Sequence, residues 1–164
     1  MTRPEATQER PEVEVLTDIT SSVVEDFQRL LPQLTSSKLP EADVLEAQLR
    51  AAVDPQNPDS RVVVIRDAEG RIQASATGNI CRIPTGVKAW IDDVVTDEAH
   101  RGCGYGGQLM EALHTWFEER AVPSVNLTSN PNRKTAGDLY ERMGYQERKT
   151  RVYRRLGHAA VVAS

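Results

Sequence analysis

The feature that most constrains this chain is the run RGCGYGG, Arg101–Gly107, which leads directly into an amphipathic helix. The helix is indicated by apolar residues that recur on one face, namely Tyr105, Leu109, Leu113, Trp116 and Phe117. A helix N-terminus carries unpaired N–H groups and a partial positive charge, and glycine lets the backbone close around an anion. The pattern therefore predicts a phosphate-binding loop at the start of a helix.

Other interpretations of this run differ in what they require of its surroundings. A plain surface loop needs nothing further, since glycine-rich loops are common. Gly102, Gly104 and Gly107 match G-x-G-x-x-G, but a dinucleotide-binding turn begins straight after its strand, whereas TDEAH intervenes here. That fingerprint also needs an acid about 20 residues further on, where this chain has VNLTSN. A Walker A loop is excluded because no Gly-Lys-Ser/Thr follows. The strand before the run and the helix after it favour another phosphate ligand.

The remaining periodicities predict a regular order of helices and strands. We expect helices over 20–34 and 40–53, strands over 61–67, 71–80 and 87–95, a helix over 105–121, a strand over 124–129, a helix over 130–145 and a final strand over 147–156. Hairpins and a strand–helix–strand crossover then occur in one chain. The predicted class is a mixed α/β, or α+β, domain.

Composition narrows the class of protein further. The 164 residues fit one domain, and the polar N-terminus lacks the apolar segment of a secretory signal. We expect a flexible lead over 1–12, a single domain over 13–157 and a flexible tail over 158–164. Cysteines and histidines show no metal-ligand spacing, basic residues are dispersed, and no apolar run suits a membrane helix. These features predict a cytoplasmic protein with no metal, nucleic-acid or membrane partner.

Three segments in this order resemble the GNAT family of N-acetyltransferases. The residues from Arg101 to Gly106 resemble the family's R/Q-x-x-G-x-G/A loop, and IDDVVTDEAH resembles the strand leading into it. AGDLYERMGY resembles the downstream A-x-x-x-Y-x-x-x-G-[FY] segment. The resemblance spans about residues 90–145. It implies the GNAT fold: a mixed, mostly antiparallel sheet of six or seven strands flanked by about four helices, with a splayed strand pair that holds the cofactor.

The same resemblance implies that acetyl-CoA is the co-substrate and indicates which residues bind it. The pyrophosphate would lie against the loop of Arg101, Gly102, Cys103, Gly104, Tyr105, Gly106 and Gly107. Main-chain groups of Val94 and Val95 would pair with the pantetheine arm, and one of their N–H groups would meet the developing oxyanion. Asn132 and Arg133 would lie near the lower arm of the cofactor. Many members have Asn where this chain has Arg133, so the chain departs from the family pattern at this contact, and an Arg could reach a phosphate instead.

Acetyl transfer to an amine also needs a proton acceptor and a proton donor. The resemblance places Tyr140 beside the sulfur, where a phenol with an ordinary pKa of about 10 can protonate a thiolate. Periodicity alone favours Tyr140 as a core residue beside Ala136 and Met143. Asp92 and Asp93 are candidates for the base, because Asp is depleted in strands. The alternative is that one is simply exposed and the other pairs with an Arg.

The expected function is therefore acetyl-CoA-dependent N-acetylation of a primary amine on a small molecule or a protein. Because IDDVV resembles the corresponding strand of glucosamine-6-phosphate acetyltransferases, an amino sugar is one alternative acceptor. A non-catalytic acyl-CoA-binding module on the same fold is another reading. The first two helices, their connection and the final strand would shape the acceptor site. A homodimer is the generic expectation.

Overall fold

The computed structural model describes residues 10–157. The first nine residues of the predicted lead and the whole predicted tail over 158–164 lie outside this range. The chain divides into two compact units, Met1–Thr128 and Ser129–Ser164, and each is considered by itself. A single domain over 13–157 stays a prediction.

Both units are built from short, regular elements. The first contains β1 (Val13–Val15), α1 (Ser21–Leu30), α2 (Ala42–Ala52), β2 (Ser60–Arg66), β3 (Ile72–Ile83), β4 (Gly86–Thr96), α3 (Tyr105–Glu119) and β5 (Val125–Leu127), with 3-10 turns at Leu31–Gln33 and Glu98–His100. The second contains α4 (Lys134–Arg142). This composition confirms the predicted α/β class.

Within residues 10–157 the sheet has five strands in the order β1-β2-β3-β4-β5. The first four are antiparallel, and β5 pairs parallel to β4. The count is lower than the six or seven strands expected. The prediction of a final strand over 147–156 is wrong, since this segment forms neither helix nor strand. Charged side chains would occupy both faces of such a strand, so it offers no apolar face to bury.

One face of the sheet is covered by α1 and α2. Val23, Val24, Phe27 and Leu30 follow helical spacing and are buried, and Thr20 caps α1 by accepting from the Val23 N–H at 3.3 Å. Their cluster also takes in Leu45 and Leu49 of α2 and Val62, Val64, Ile72 and Val95 of the sheet. This layer forms the apolar core on this side of the sheet.

The other face is covered by α3, whose position depends on a glycine. A Cβ added at Gly78 of β3 would lie 2.9 Å from Leu113 Cδ2 and 2.9 Å from Phe117 Cζ. Both side chains are buried, as are Leu109 and Trp116. Glycine at position 78 therefore allows the helix to pack closely on the strand. In the described residues, no helix is both long and apolar enough to cross a membrane.

Candidate functional site

Strand β4 contains a β-bulge at the acidic pair. Ser75 lies opposite Val95 and Thr77 opposite Asp92, so Asp93 and Val94 together face the single residue Ala76. Asp93 has a φ of 51°, in the left-handed region that non-glycine residues seldom adopt. Such strain costs about 1–3 kcal/mol and is concentrated at functional sites. The bulge is therefore a candidate functional feature.

Beyond the bulge, β4 presents an open backbone edge. Within residues 10–157, the strand pairs on that side with β5 at Ala89, Trp90 and Ile91 and with no further strand beyond them. Asp97 N–H donates to the Gln73 carbonyl at 2.8 Å, which fixes the side of the strand that faces β3. Since alternate residues of an antiparallel strand bond to opposite sides, Val95 faces β3 while Val94 and Thr96 face the open edge. An extended ligand can pair with the main chain there.

The glycine run follows this edge after one 3-10 turn. Gly102 and Gly104 have φ values of +82° and +80°, a conformation that favours glycine. Gly104 is the N-cap of α3. Among residues 10–157 no side chain caps this helix, and its first turn contains no acid. The N–H groups of the first turn, which includes Gly106 and Gly107, are thus oriented to receive an anion.

The side chains of the run suit the same kind of ligand. Arg101 and Cys103 are exposed, and Arg101 adds a cation at the mouth of the loop. Tyr105 stacks on the His100 ring, with centroids 5.7 Å apart and planes at 18°. A diphosphate therefore fits these residues, because they combine a positive helix end, left-handed glycines and an exposed guanidinium.

The acids of the bulge have an unusual electrostatic setting. Asp92 and Asp93 both have exposed surface, yet nearby protein atoms partly desolvate the carboxylate of Asp93. This desolvation, followed by repulsion from Asp92, raises the pKa of Asp93 above its ordinary value. No ion pair of the described residues includes either acid, so the alternative in which one pairs with an Arg is not observed.

The second unit holds the other candidate residues. Tyr140 lies in α4, is 9% exposed and contacts the edge of the Tyr145 ring at 6.0 Å between centroids. Burial raises the pKa of Tyr140, and the charge of Arg133 partly opposes this. Asn132 and Arg133 are exposed just before the helix. The site residues predicted from Asp92 to Gly107 thus lie in the first unit, and these three in the second.

Sequence reasoning missed a polar cluster beneath the start of the loop. Arg29 and Gln33, at the end of the first helical segment, hydrogen-bond to Asp97. From the sequence, Asp97 could have been predicted to cap the turn that follows it, because Asp is a common N-cap residue. In the structure its Oδ1 accepts from the Ala99 N–H at 3.0 Å. Its partners, more than 60 residues away, give no such signal. In the described residues, no three His, Cys, Asp or Glu side chains form a group able to hold a metal.

A model of the acetyltransferase (GNAT) domain matches residues 58–147. The match covers more than half of the chain and includes the bulge, the glycine run and Tyr140. The chain belongs to the GNAT acetyltransferase family. The predicted resemblance is confirmed. A search of proteins with curated functions found no match for this GNAT protein.

Solved structures support the same fold. An acetyltransferase of Trypanosoma brucei aligns with a TM-score of 0.69 at 24% identity, covering 88% of this chain and 99% of that one. Glucosamine-6-phosphate N-acetyltransferase from Arabidopsis thaliana gives 0.70 at 19% identity, covering 89% and 99%. An aminoglycoside acetyltransferase from an uncultured soil metagenomic sample gives 0.69 at 18%, covering 92% and 99%. At these identities the likeness establishes the fold of this GNAT protein.

Proposed function

We propose that this GNAT protein is an acetyl-CoA-dependent N-acetyltransferase that transfers the acetyl group directly to a primary amine. The observation that carries the proposal is the succession of two binding features in the first unit. An open strand edge at Val94 and Thr96 is followed, one short turn later, by the uncapped glycine start of α3. The amide-bearing pantetheine arm of acetyl-CoA could pair with the strand edge, and its pyrophosphate could bind at the start of α3.

The loop from Arg101 to Gly107 is assigned to the pyrophosphate. The first-turn N–H groups donate to its oxygens, and the Arg101 guanidinium adds charge. We assign Asn132 and Arg133 to the lower arm of the cofactor, where an exposed guanidinium suits a phosphate. Bound acetyl-CoA supplies the activated acetyl thioester. The remaining steps belong to the protein.

Strand β4 is assigned the polarisation of the thioester carbonyl. The strand register supports Val94 as the N–H donor, because the N–H of Val95 is directed to β3. A donor held in a strand needs no reorganisation as negative charge develops. Val95 fixes the position of the neighbouring Val94, because its backbone pairs with β3 and its side chain is buried in the core.

Asp93 is assigned as the general base. An amine attacks only after it loses a proton, and a carboxylate with a raised pKa accepts that proton better than an ordinary Asp. Asp92, which is exposed beside it, attracts the cationic acceptor. As the C–N bond forms and the C–S bond breaks, the amine proton passes to Asp93 directly or through water.

Tyr140 is assigned as the general acid on the strength of the family motif. Its raised pKa keeps the phenol protonated at neutral pH, so it can donate to the departing thiolate. The acceptor is a primary amine of a small molecule or protein. A cytoplasmic location and a homodimeric state stay predictions.

Two measurements on the wild-type protein test the proposal. Calorimetric titration with CoA measures binding, and thiol release from acetyl-CoA is followed over polyamines, amino acids, aminoglycosides, amino sugars and peptides. We expect binding, and thiol release that depends on one amine class. CoA binding without release above background for any amine would favour a binding module. Absence of both would refute the proposal.

A further inference from the structure

We propose that Gln33 is a positioning residue that fastens the start of the pyrophosphate loop to the end of the first helical segment. The inference rests on the proposed function, because it assigns Gln33 a role in binding CoA. Gln33 is the last residue of the 3-10 turn Leu31–Gln33 and lies far from the loop in sequence. Within residues 10–157, the hydrogen bonds of its side chain go to Arg29, Asp97 and Glu98 and not to the loop itself, so it would act through the residues that precede the loop.

The side-chain amide of Gln33 uses both of its ends. Nε2 donates to Asp97 Oδ2 at 3.1 Å and to the Arg29 carbonyl at 3.3 Å. Oε1 accepts from the Glu98 N–H at 2.8 Å. One planar group therefore connects the first helical segment with two consecutive residues that precede the loop. The bond to the Glu98 main chain fixes backbone position independently of side-chain charge.

Asp97, the partner of Gln33, is itself held from several directions. It is 8% exposed, and its Oδ1 accepts from the Ala99 N–H at 3.0 Å. Its Oδ2 also accepts from Arg29 Nη1, and its own N–H donates to the Gln73 carbonyl. Arg29 in turn donates from Nη2 to the Ile72 carbonyl at 2.5 Å. Residues 97–99 are thus fixed to the helix and to the sheet.

The loop depends on the fixed position of residues 97–99 because its glycines leave its own backbone conformationally free. Glycine loses more backbone conformational entropy on ordering than any other residue. Gly102 and Gly104 follow within five residues of Ala99, the last of the residues that the hydrogen bonds hold in place. If the loop is already ordered in the free protein, less conformational entropy is lost when CoA binds, and the affinity is higher. We therefore expect Gln33 to influence CoA affinity more than thermal stability.

The test compares Gln33→Met with a matched control. Met has a similar length and forms no such hydrogen bonds. The control is Arg50→Met, in which α2 loses the bond from Arg50 to the Ile19 carbonyl (3.0 Å) and the ion pair with Glu46, neither of which includes a residue of the loop. Gln33→Glu is the second variant, because it puts a carboxylate beside Asp97. We measure the Kd for CoA by calorimetry, hydrogen exchange of the amides of residues 98–104 in the free protein, and melting temperature.

The expected result is a Kd raised about 3- to 10-fold in Gln33→Met and at least as much in Gln33→Glu, the effect of losing one or two hydrogen bonds. Exchange at residues 98–104 should accelerate in both variants and stay unchanged in Arg50→Met, whose Kd should match that of wild type. Wild-type Kd and wild-type exchange in the Gln33 variants would overturn the inference. Failure of the wild-type protein to bind CoA would instead refute the proposed function.

Discussion

Gly70 and Gly104 adopt the same left-handed backbone conformation in different settings. Their φ values are +82° and +80°, and a Cβ added at either would meet no atom within 4 Å. Gly70 closes the turn between β2 and β3, where its N–H donates to the Asp67 carbonyl at 3.0 Å. Gly104 begins α3 at the proposed pyrophosphate loop. The two positions form a matched pair for separating conformational cost from function.

Alanine at these positions should have equal effects on stability and unequal effects on binding. A non-glycine residue in the left-handed region costs about 1–2 kcal/mol, so Gly70→Ala and Gly104→Ala should lower the free energy of unfolding similarly. Only Gly104→Ala should raise the Kd for CoA, by about 10-fold or more, as its loop moves away from the phosphate-binding conformation. Urea unfolding and calorimetry measure the two quantities. Equal Kd values for both variants would contradict the assigned loop.

Asp93→Asn should lower kcat strongly and leave the stability of the fold intact. The raised pKa of Asp93 means that folding disfavours the charged carboxylate. The protonated form of Asp93 therefore stabilises the fold at low pH, and this stabilisation is lost as the pH rises through the pKa of the folded state. A neutral Asn, which also tolerates positive φ, should leave the melting temperature at pH 7 unchanged or higher. As general base, Asp93 should account for about 100-fold of kcat.

The pH profile distinguishes Asp93 from its neighbour. In the wild-type protein, the rate should rise with pH through a pKa above that of an ordinary Asp, and Asp93→Asn should lose this limb. Asp92→Asn should keep the limb and mainly raise KM for the amine. If Asp92→Asn loses the limb and Asp93→Asn retains it, the two assignments are exchanged.

Tyr140→Phe should lower kcat about 100-fold while the Kd for CoA changes less than about 2-fold, because only the proton donor is removed. The raised pKa of Tyr140 predicts that the alkaline fall in rate begins above the ordinary pKa of tyrosine. Tyr145→Phe is the control. Burial, and then proximity to Tyr140, raise the pKa of Tyr145 to about 12, so its hydroxyl does not titrate in the assay range. Steady-state kinetics in which both variants match wild type would exclude Tyr140 as the acid.

Gly78→Ala should destabilise the protein through overpacking of the layer between β3 and α3. The added Cβ would lie 2.9 Å from buried side chains of α3, at an expected cost of about 1–3 kcal/mol. Gly137→Ala in α4 is the contrasting variant, since its Cβ meets nothing within 4 Å and should stabilise the helix by about 0.5–1 kcal/mol. Urea unfolding measures both. A Gly78→Ala variant as stable as wild type would show that α3 can shift without cost.

Local patterns predicted much of the first unit, because its elements are encoded by short-range periodicity. The apolar stripes of α1 and α3 and the left-handed glycines of the loop follow from residues within a few positions of one another. The bulge at Asp93 does not, because a register shift is a property of two strands. The bonds from Gln33 to Asp97 and Glu98 span 64 and 65 residues, which one sequence cannot reveal. The strand predicted over 147–156 is absent because, although Thr, Val and Tyr favour a strand, charged residues would fall on both of its faces.

The bulge in β4 has a consequence for how this chain tolerates insertions and deletions. Ile91 pairs with Gly78 on the side of α3, whereas Val95, four residues later, belongs to the cluster beneath α1 and α2. In a regular strand two residues four apart point to the same side. Deletion of Asp93 or Val94 would leave the two residues three apart in a regular strand, so Val95 would still point into its cluster and Asp97 would keep its place beside Gln33, while the bulge itself would be lost. An inserted residue elsewhere in β4 would turn Val95 out of its cluster, whereas loss of the extra residue at the bulge should spare the packing of the sheet and affect only the candidate site.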